Sequence, residues 1–435
     1  MRIKRLFKIV LPLCCLSLSS CALFNDDDIK PNNHYEPDFG EHEEIPPGST
    51  VAGGVVASEN ANAPYSLCFK NISYATDDYV TNTYRPGGVN YQGYTVNNGE
   101  DYHSPVSNNN YDLYVPNTAP RNDKHLVILF IHGGAWVSGF KTDVNPYIFE
   151  FANRGYITAT IKYTLLHREM DDPTLSIFRN LDEIDACISS IKSVLEELDF
   201  DTSKTQLVIG GASSGAHLSM LYAYSRGKNA ALPIKFIVDA VGPVDIKPSA
   251  WASFIDNSDE VLELGLTKSA IDAQVLNDNI GELEIQGEGG KRWTDYQTFR
   301  IANGMCGMPY TIEEVEQATD EDKNYITDPN NPAYLNMTAA NGGENLLSVT
   351  YWIDKADNDS KFPIVCAYAG KDTVIGINQF ATLQKALDHK GITYYNNSYI
   401  YFQNSEHDKL TREFDQVHYD ELINAIATWC AAETI

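Results

Sequence analysis

Along the chain, short runs of apolar residues alternate with longer stretches in which apolar positions recur every three or four residues. HLVILFIHGG (125–134) is a continuous apolar run closed by glycines, the pattern of a strand buried on both faces. YDLYVP (111–116), YITATIKY (156–163), TQLVIGG (205–211) and IKFIVDAVG (234–242) read as further strands. Between them, Asn145 to Asn153 and Ser214 to Ser225 read as helices. From Ser176 to Leu198, the residues Ile177, Leu181, Ile184, Ile188, Ile191, Leu195 and Leu198 line one helical face. Strands alternating with helices predict an α/β fold: a mostly parallel sheet covered by helices on both faces. Sites in such sheets gather at the carboxyl ends of the strands. Three glycine-bearing corners fall there: His132 to Gly134, Gly211 to Gly215, and Gly242-Pro243-Val244-Asp245.

After Asp245 the alternation stops. Residues 246–360 are mixed and acidic, with short helical stretches at Asp256–Leu264 and Thr311–Thr319 and a breaker at Asp328-Pro329-Asn330-Asn331-Pro332. The sheet pattern then resumes with FPIVCAYAG (362–370), a helix over Gly376–His389, the strand SYIYFQ (398–403) and a final helix near Asp415–Ala432. An insertion of this length between strands predicts a cap over the site. Upstream, 55–110 is polar and rich in Tyr and Asn, with room for one or two edge strands, and no internal repeat is visible.

The stretch LVIGGASSGAHLSM (207–220) runs from strand into helix across Gly211-Ala212-Ser213-Ser214-Gly215. Gly-x-Ser-x-Gly at a strand–turn–helix junction is the nucleophile elbow. Glycines lack a Cβ, so the chain can turn sharply and neighbours can approach closely, leaving the Ser213 hydroxyl free at a helix N-terminus. The bland alternative is a glycine-rich turn without chemistry.

His132-Gly133-Gly134-Ala135-Trp136 follows a buried strand well upstream of Ser213. It resembles the HGGG-type oxyanion loop of α/β-hydrolase esterases, of the carboxylesterase and hormone-sensitive-lipase-like type. Ala135 stands where the third glycine would be. The resemblance implies that the backbone N–H groups of Gly133, Gly134 and Ser214 hold an oxyanion, with His132 bracing the loop. Trp136 either lines an acyl pocket or packs beneath the loop. The resemblance also implies the chain order serine, acid, histidine. Asp372, in Ala369-Gly370-Lys371-Asp372, directly follows a strand and takes the acid's place, whereas Asp357 and Asp359 precede that strand as loop charges. Of the later histidines, His389 lies near a helix end and His418 within a helical pattern. His407 follows SYIYFQ in the loop Asn404-Ser405-Glu406-His407-Asp408 and takes the place of the base. Glu406 and Asp408 either raise its pKa or are simply solvated. His217, one helical turn after Ser213, reads as a satisfied buried histidine. The separation from Ser213 to Asp372 is long for this type, and the 246–360 insertion accounts for it.

The N-terminus changes the picture of location. Arg2, Lys4, Arg5 and Lys8 precede a short apolar run from Ile9 to Leu18, too short for a comfortable membrane span. Leu18-Ser19-Ser20-Cys21 then resembles the lipobox of bacterial lipoproteins, which implies a signal over 1–21 and a lipid anchor at Cys21. An ordinary secretory signal cleaved near Ser20 is the alternative. Residues 22–60, rich in Asp, Glu, Asn, Pro and Gly, read as a flexible acidic linker. The α/β-hydrolase domain is then expected over 61–435. The formal charge of the 435-residue chain is −27. The signal holds four bases and no acids, so the exported body would be more acidic still. Nucleic acid binding needs clustered Lys and Arg and is not expected. Cys187 and Cys366 read as small core residues, and no cysteine spacing suits a metal.

The sequence therefore points to a serine ester hydrolase of the cell envelope acting on a small-molecule ester, short acyl or acetyl esters above all. Ser213, His407 and Asp372 form the expected triad, and neither metal nor organic cofactor is required. Rival readings are an amidase, peptidase or arylformamidase-like hydrolase on the same triad, and an idle envelope binding protein that keeps the fold.

Overall fold

A computed structural model describes residues 50–51, 66–74, 110–116, 119–134, 136, 139–165, 177–245, 347–372 and 374–435. The expectations for the signal, Cys21, Ala135, most of the linker and the insertion over 246–346 lie outside these residues.

A nine-stranded sheet organises the chain, in the order β1-β2-β3-β5-β4-β6-β7-β8-β9. The strands are β1 (Thr50–Val51), β2 (Ser66–Ser73), β3 (Asn110–Pro116), β4 (His125–Ile131), β5 (Ile157–Lys162), β6 (Thr205–Ala212), β7 (Ile234–Ala240), β8 (Ile364–Ala369) and β9 (Ile400–Phe402). From β5 through β9 every pairing is parallel. The flank β1–β2–β3 is antiparallel, and β3 meets β5 antiparallel. Among the described residues the α-helices are α1 (Asn145–Ala152), α2 (Ile177–Glu197), α3 (Ser214–Arg226), α4 (Val349–Lys355), α5 (Asn378–Lys390) and α6 (Gln416–Ala431). This is the α/β-hydrolase arrangement.

The central strands explain themselves. Val127 to Ile131 of β4 and Leu207 to Ile209 of β6 are wholly buried, as a run of β-branched and aliphatic residues covered on both faces must be. Helix α3 is buried from Ser214 to Tyr224, so it has no solvent stripe and runs through the core. Helix α2 turns the stripe seen in the sequence inward, with Ile177, Leu181, Ile184, Ile188, Ile191 and Leu195 buried. Cys68, Cys187, Cys366 and Cys430 are buried free thiols.

Two boundaries differ from the sequence reading. Thr50 and Val51 pair with Lys70 and Phe69, so the sheet begins inside the segment expected to be linker. The end of the expected cap, 347–360, belongs to the body that carries the sheet: Val349 and Ile353 of α4 are buried in the main core. The chain leaves and re-enters at one point. Ser348 Oγ donates to Asp245 Oδ1 (2.6 Å), and Val349 N donates to Val244 O (2.9 Å). Gln379 Oε1 of α5 accepts from the backbone N–H groups of Val244 and Asp245 (2.8 and 3.0 Å). With its ends clasped side by side, a long insert adds little loop-closure cost to the body that carries it.

Candidate active site

The residues expected to act together meet at the carboxyl ends of β4, β6, β8 and β9. Ser213 stands between β6 and α3 with φ 54° and ψ −123°, a conformation L-residues rarely adopt. Holding it costs about 1–3 kcal/mol, which the surrounding packing must offset. Ser213 N donates to Ala240 O of the adjacent β7 (2.9 Å), and Ser213 O accepts from His217 N (3.1 Å). Gly215 permits the tight corner: a Cβ there would run into the backbone carbonyls of Ile131 and His132. The corner is thus wedged against the end of β4, and the Ser213 side chain remains partly exposed.

His407 Nε2 lies 2.8 Å from Ser213 Oγ, and His407 Nδ1 lies 2.7 Å from Asp372 Oδ2. The carboxylate is aimed by its own backbone: Asp372 Oδ1 accepts from Val374 N (2.8 Å) and Ile375 N (2.7 Å). Lys371 N donates to Ser405 O (3.0 Å) and ties the acid loop to the histidine loop. Tyr147 OH of α1 donates to Leu410 O (2.7 Å) and anchors the far end of that loop. Because Asp372 only accepts, Nδ1 carries the proton and Nε2 is left to accept from the serine hydroxyl. Burial pulls the His407 pKa down, but the charge and hydrogen bond of Asp372, with the charge of Asp408, outweigh it and raise the pKa above 6.5. Asp408 therefore does act on His407, while Glu406 is occupied by Lys409 at 2.7 Å.

Gly133 lies directly against Ser213. A Cβ on Gly133 would sit 3.2 Å from Ser213 Cβ and 3.0 Å from Ala212 O, so only glycine brings this backbone so close. Ser214 opens α3, where the first N–H groups have no intrahelical acceptor and the helix end favours negative charge. His132 is wholly buried, its Nδ1 donating to Gly133 O (2.8 Å). Burial lowers its pKa to about 4, so it stays neutral. Trp136 also has positive φ (61°) and is buried, its ring edge-on to His217 at 5.3 Å. His217 is buried and donates from Nε2 to Leu347 O (2.8 Å), with its pKa lowered to about 4 by burial. Asp357 is an exposed charge paired with Lys228, and His389 is exposed on α5. His418 sits in the first turn of α6, bonded to Asp415 (2.8 Å). Among the described residues no cluster of His, Cys, Asp and Glu is arranged to hold a metal.

The sequence reading missed Tyr163. Its ring stacks on His132 (4.3 Å between centroids, 13° between planes), and its hydroxyl reaches the carbonyls of both His132 and Gly133. The available signal was its position at the carboxyl end of β5, next to the strand that feeds the glycine loop.

The BD-FAE family model matches residues 111–277, less than half of the chain but including Gly133, Gly134, Ser213 and Ser214. Among curated proteins, the non-reducing polyketide synthase adrD of Penicillium rubens is 26% identical over 149 residues, covering 32% of this chain and 6% of that protein. The non-reducing polyketide synthase ausA of Aspergillus calidoustus is 23% identical over 150 residues, 33% of this chain and again 6% of the relative. The chain thus spans only a small fraction of the length of these relatives. Solved structures with a similar chain path include esterase B from Lactobacillus rhamnosis (14% identity, TM-score 0.47, 76% of this chain and 84% of that one). A truncated carbohydrate esterase from gut microbiota shows 16% identity and a TM-score of 0.48, over 86% of this chain and 99% of that one. A bacterial heroin esterase shows 15% identity and a TM-score of 0.45, over 74% and 80%.

Proposed function

We propose that this chain is a serine hydrolase that cleaves carboxylic esters, short acyl or acetyl esters above all. The observation that carries this reading is the continuous line Asp372–His407–Ser213, with spacings of 2.7 and 2.8 Å and Gly133 packed against the serine. A serine hydroxyl is a weak nucleophile at neutral pH and needs a base within hydrogen-bond reach, itself oriented by a third group. His407 and Asp372 occupy those positions.

In this reading Ser213 Oγ attacks the ester carbonyl carbon while its proton passes to His407 Nε2. The electron pair of the carbonyl moves to oxygen, and the N–H groups of Gly133, Gly134 and Ser214 donate hydrogen bonds to that oxyanion. Each donor of this kind is worth on the order of 100- to 1000-fold in rate. Collapse of the tetrahedral species breaks the C–O bond, and His407 returns its proton to the leaving alkoxide. Water, deprotonated by His407, then releases the acid and restores Ser213. Asp372 orients the ring and stabilises the imidazolium. We also propose that the chain is exported and anchored at Cys21, with the acidic segment after it as a tether.

Hydrolysis of p-nitrophenyl acetate, butyrate and octanoate by the chain beside Ser213→Ala tests the reading. Turnover that falls with acyl length and vanishes in the variant is expected. Equal residual rates in both would overturn it, and turnover of anilides but not esters would move it to an amidase.

A further inference from the structure

We propose that Tyr163, braced by the buried Arg179–Glu183 pair, is the positioning residue that aims the oxyanion peptides at Ser213; this rests on the ester hydrolase reading above. Both peptide bonds of the loop are trans. In a trans peptide the N–H points opposite to the C=O. Fixing the carbonyl of His132 therefore fixes the N–H of Gly133, and fixing the carbonyl of Gly133 fixes the N–H of Gly134.

Both carbonyls are held from one side. His132 Nδ1 donates to Gly133 O at 2.8 Å. The single Tyr163 hydroxyl reaches both His132 O (3.3 Å) and Gly133 O (3.5 Å). These distances are long for an O–H···O bond, as expected when one proton is shared between two acceptors. The ring stack on His132 fixes the hydroxyl's approach independently of that proton. Burial raises the Tyr163 pKa, so the hydroxyl is a donor throughout the neutral range. With both carbonyls turned to the Tyr163 side, trans geometry directs the two N–H groups the other way, and Gly133 packs against Ser213 and Ala212.

The next shell holds Tyr163 in turn. Glu183 of α2 accepts from Thr164 N (2.7 Å) and Thr164 Oγ1 (2.6 Å). Asn180 Nδ2 donates to Thr164 O (2.8 Å). Arg179 Nε neutralises Glu183 at 3.1 Å, with both side chains essentially excluded from solvent. A buried ion pair adds little net stability compared with apolar residues of similar size. Here it grips the one peptide segment that presents Tyr163, which gives the pair a geometric task.

Tyr163→Phe keeps the stack and deletes the shared proton. The expected result is a fall in kcat of about 10- to 100-fold with KM nearly unchanged, since small misplacements of reacting groups cost that much. The rate at which a fluorophosphonate labels Ser213 should fall in parallel. Glu183→Gln should give a smaller fall of the same kind. Tyr224→Phe is the control: Tyr224 OH likewise donates from the core to a carbonyl, Phe362 O at 3.0 Å, on a helix turn remote from the loop. It should leave kcat unchanged. If Tyr163→Phe keeps the wild-type kcat and labelling rate, or raises KM alone, the proposal is overturned while the hydrolase reading stands. A wild-type chain that neither hydrolyses esters nor labels at Ser213 overturns both.

Discussion

Two histidines stand on the two loops that flank Ser213, and they have been given opposite chemistry. His407 keeps part of its ring exposed and faces a carboxylate through Nδ1. His132 is wholly buried and faces a carbonyl through the same atom. An anion on Nδ1 stabilises the imidazolium, so His407 is raised above 6.5. A carbonyl supplies only a dipole, which burial overwhelms, so His132 falls to about 4. In the proposed mechanism one ring is the base beside the serine, and the other is a neutral post for the peptide it touches. Residue type alone assigns neither role; the partner on Nδ1 and the access of water do.

The largest effect that should sharpen the contrast is His407→Ala. The expected loss is at least about 1000-fold in kcat on p-nitrophenyl acetate, because the nucleophile loses its base. Fold and thermal midpoint should change little, as the ring is partly exposed. Next comes Asp372→Asn, which keeps the shape but no longer demands the Nδ1–H tautomer; a loss between about 100- and 10,000-fold in kcat is expected from steady-state kinetics.

The fold around these loops was legible where sequence pattern and burial coincide. The apolar runs that became β4, β6, β7 and β8 are covered on both faces, so their periodicity announces them. The Ser213 corner was legible because its glycines follow such a run. Strand β2 was not, since SLCFKNIS mixes apolar and polar residues and carries a register shift between Phe69 and Ile72. The boundary at 347 was also hidden, because Ser348 and Asp245 pair across a separation that no local pattern records. Glu183 and Arg179 lie on the helix whose apolar stripe the sequence shows, and nothing local marks them as buried. Tertiary contact with Thr164 makes them interior, and one sequence cannot express that.

Glu183→Ala should cost about 3–5 kcal/mol in denaturant unfolding, because it removes the buried carboxylate that faces the Arg179 charge. The pH profile offers a finer cut. Neutral His407 is the working form, so kcat/KM should rise with pH through an apparent pKa above 6.5 and fall away on acidification. In Asp372→Asn that midpoint should move to lower pH, because the anion holding the imidazolium is gone. His132→Gln should leave the midpoint where the wild type has it while costing about 1–3 kcal/mol of stability through the lost buried hydrogen bond. A midpoint that followed His132 instead would break the contrast between the two loops.

The most direct measurement traps the covalent intermediate. The chain is mixed with p-nitrophenyl acetate, quenched in acid within the first turnovers and digested, and the peptides are read by mass spectrometry. The account predicts an acetyl group on Ser213, present in the wild type and absent from His407→Ala under the same conditions. Ester turnover with no acyl group on Ser213, or with the acyl group on another residue, would contradict it.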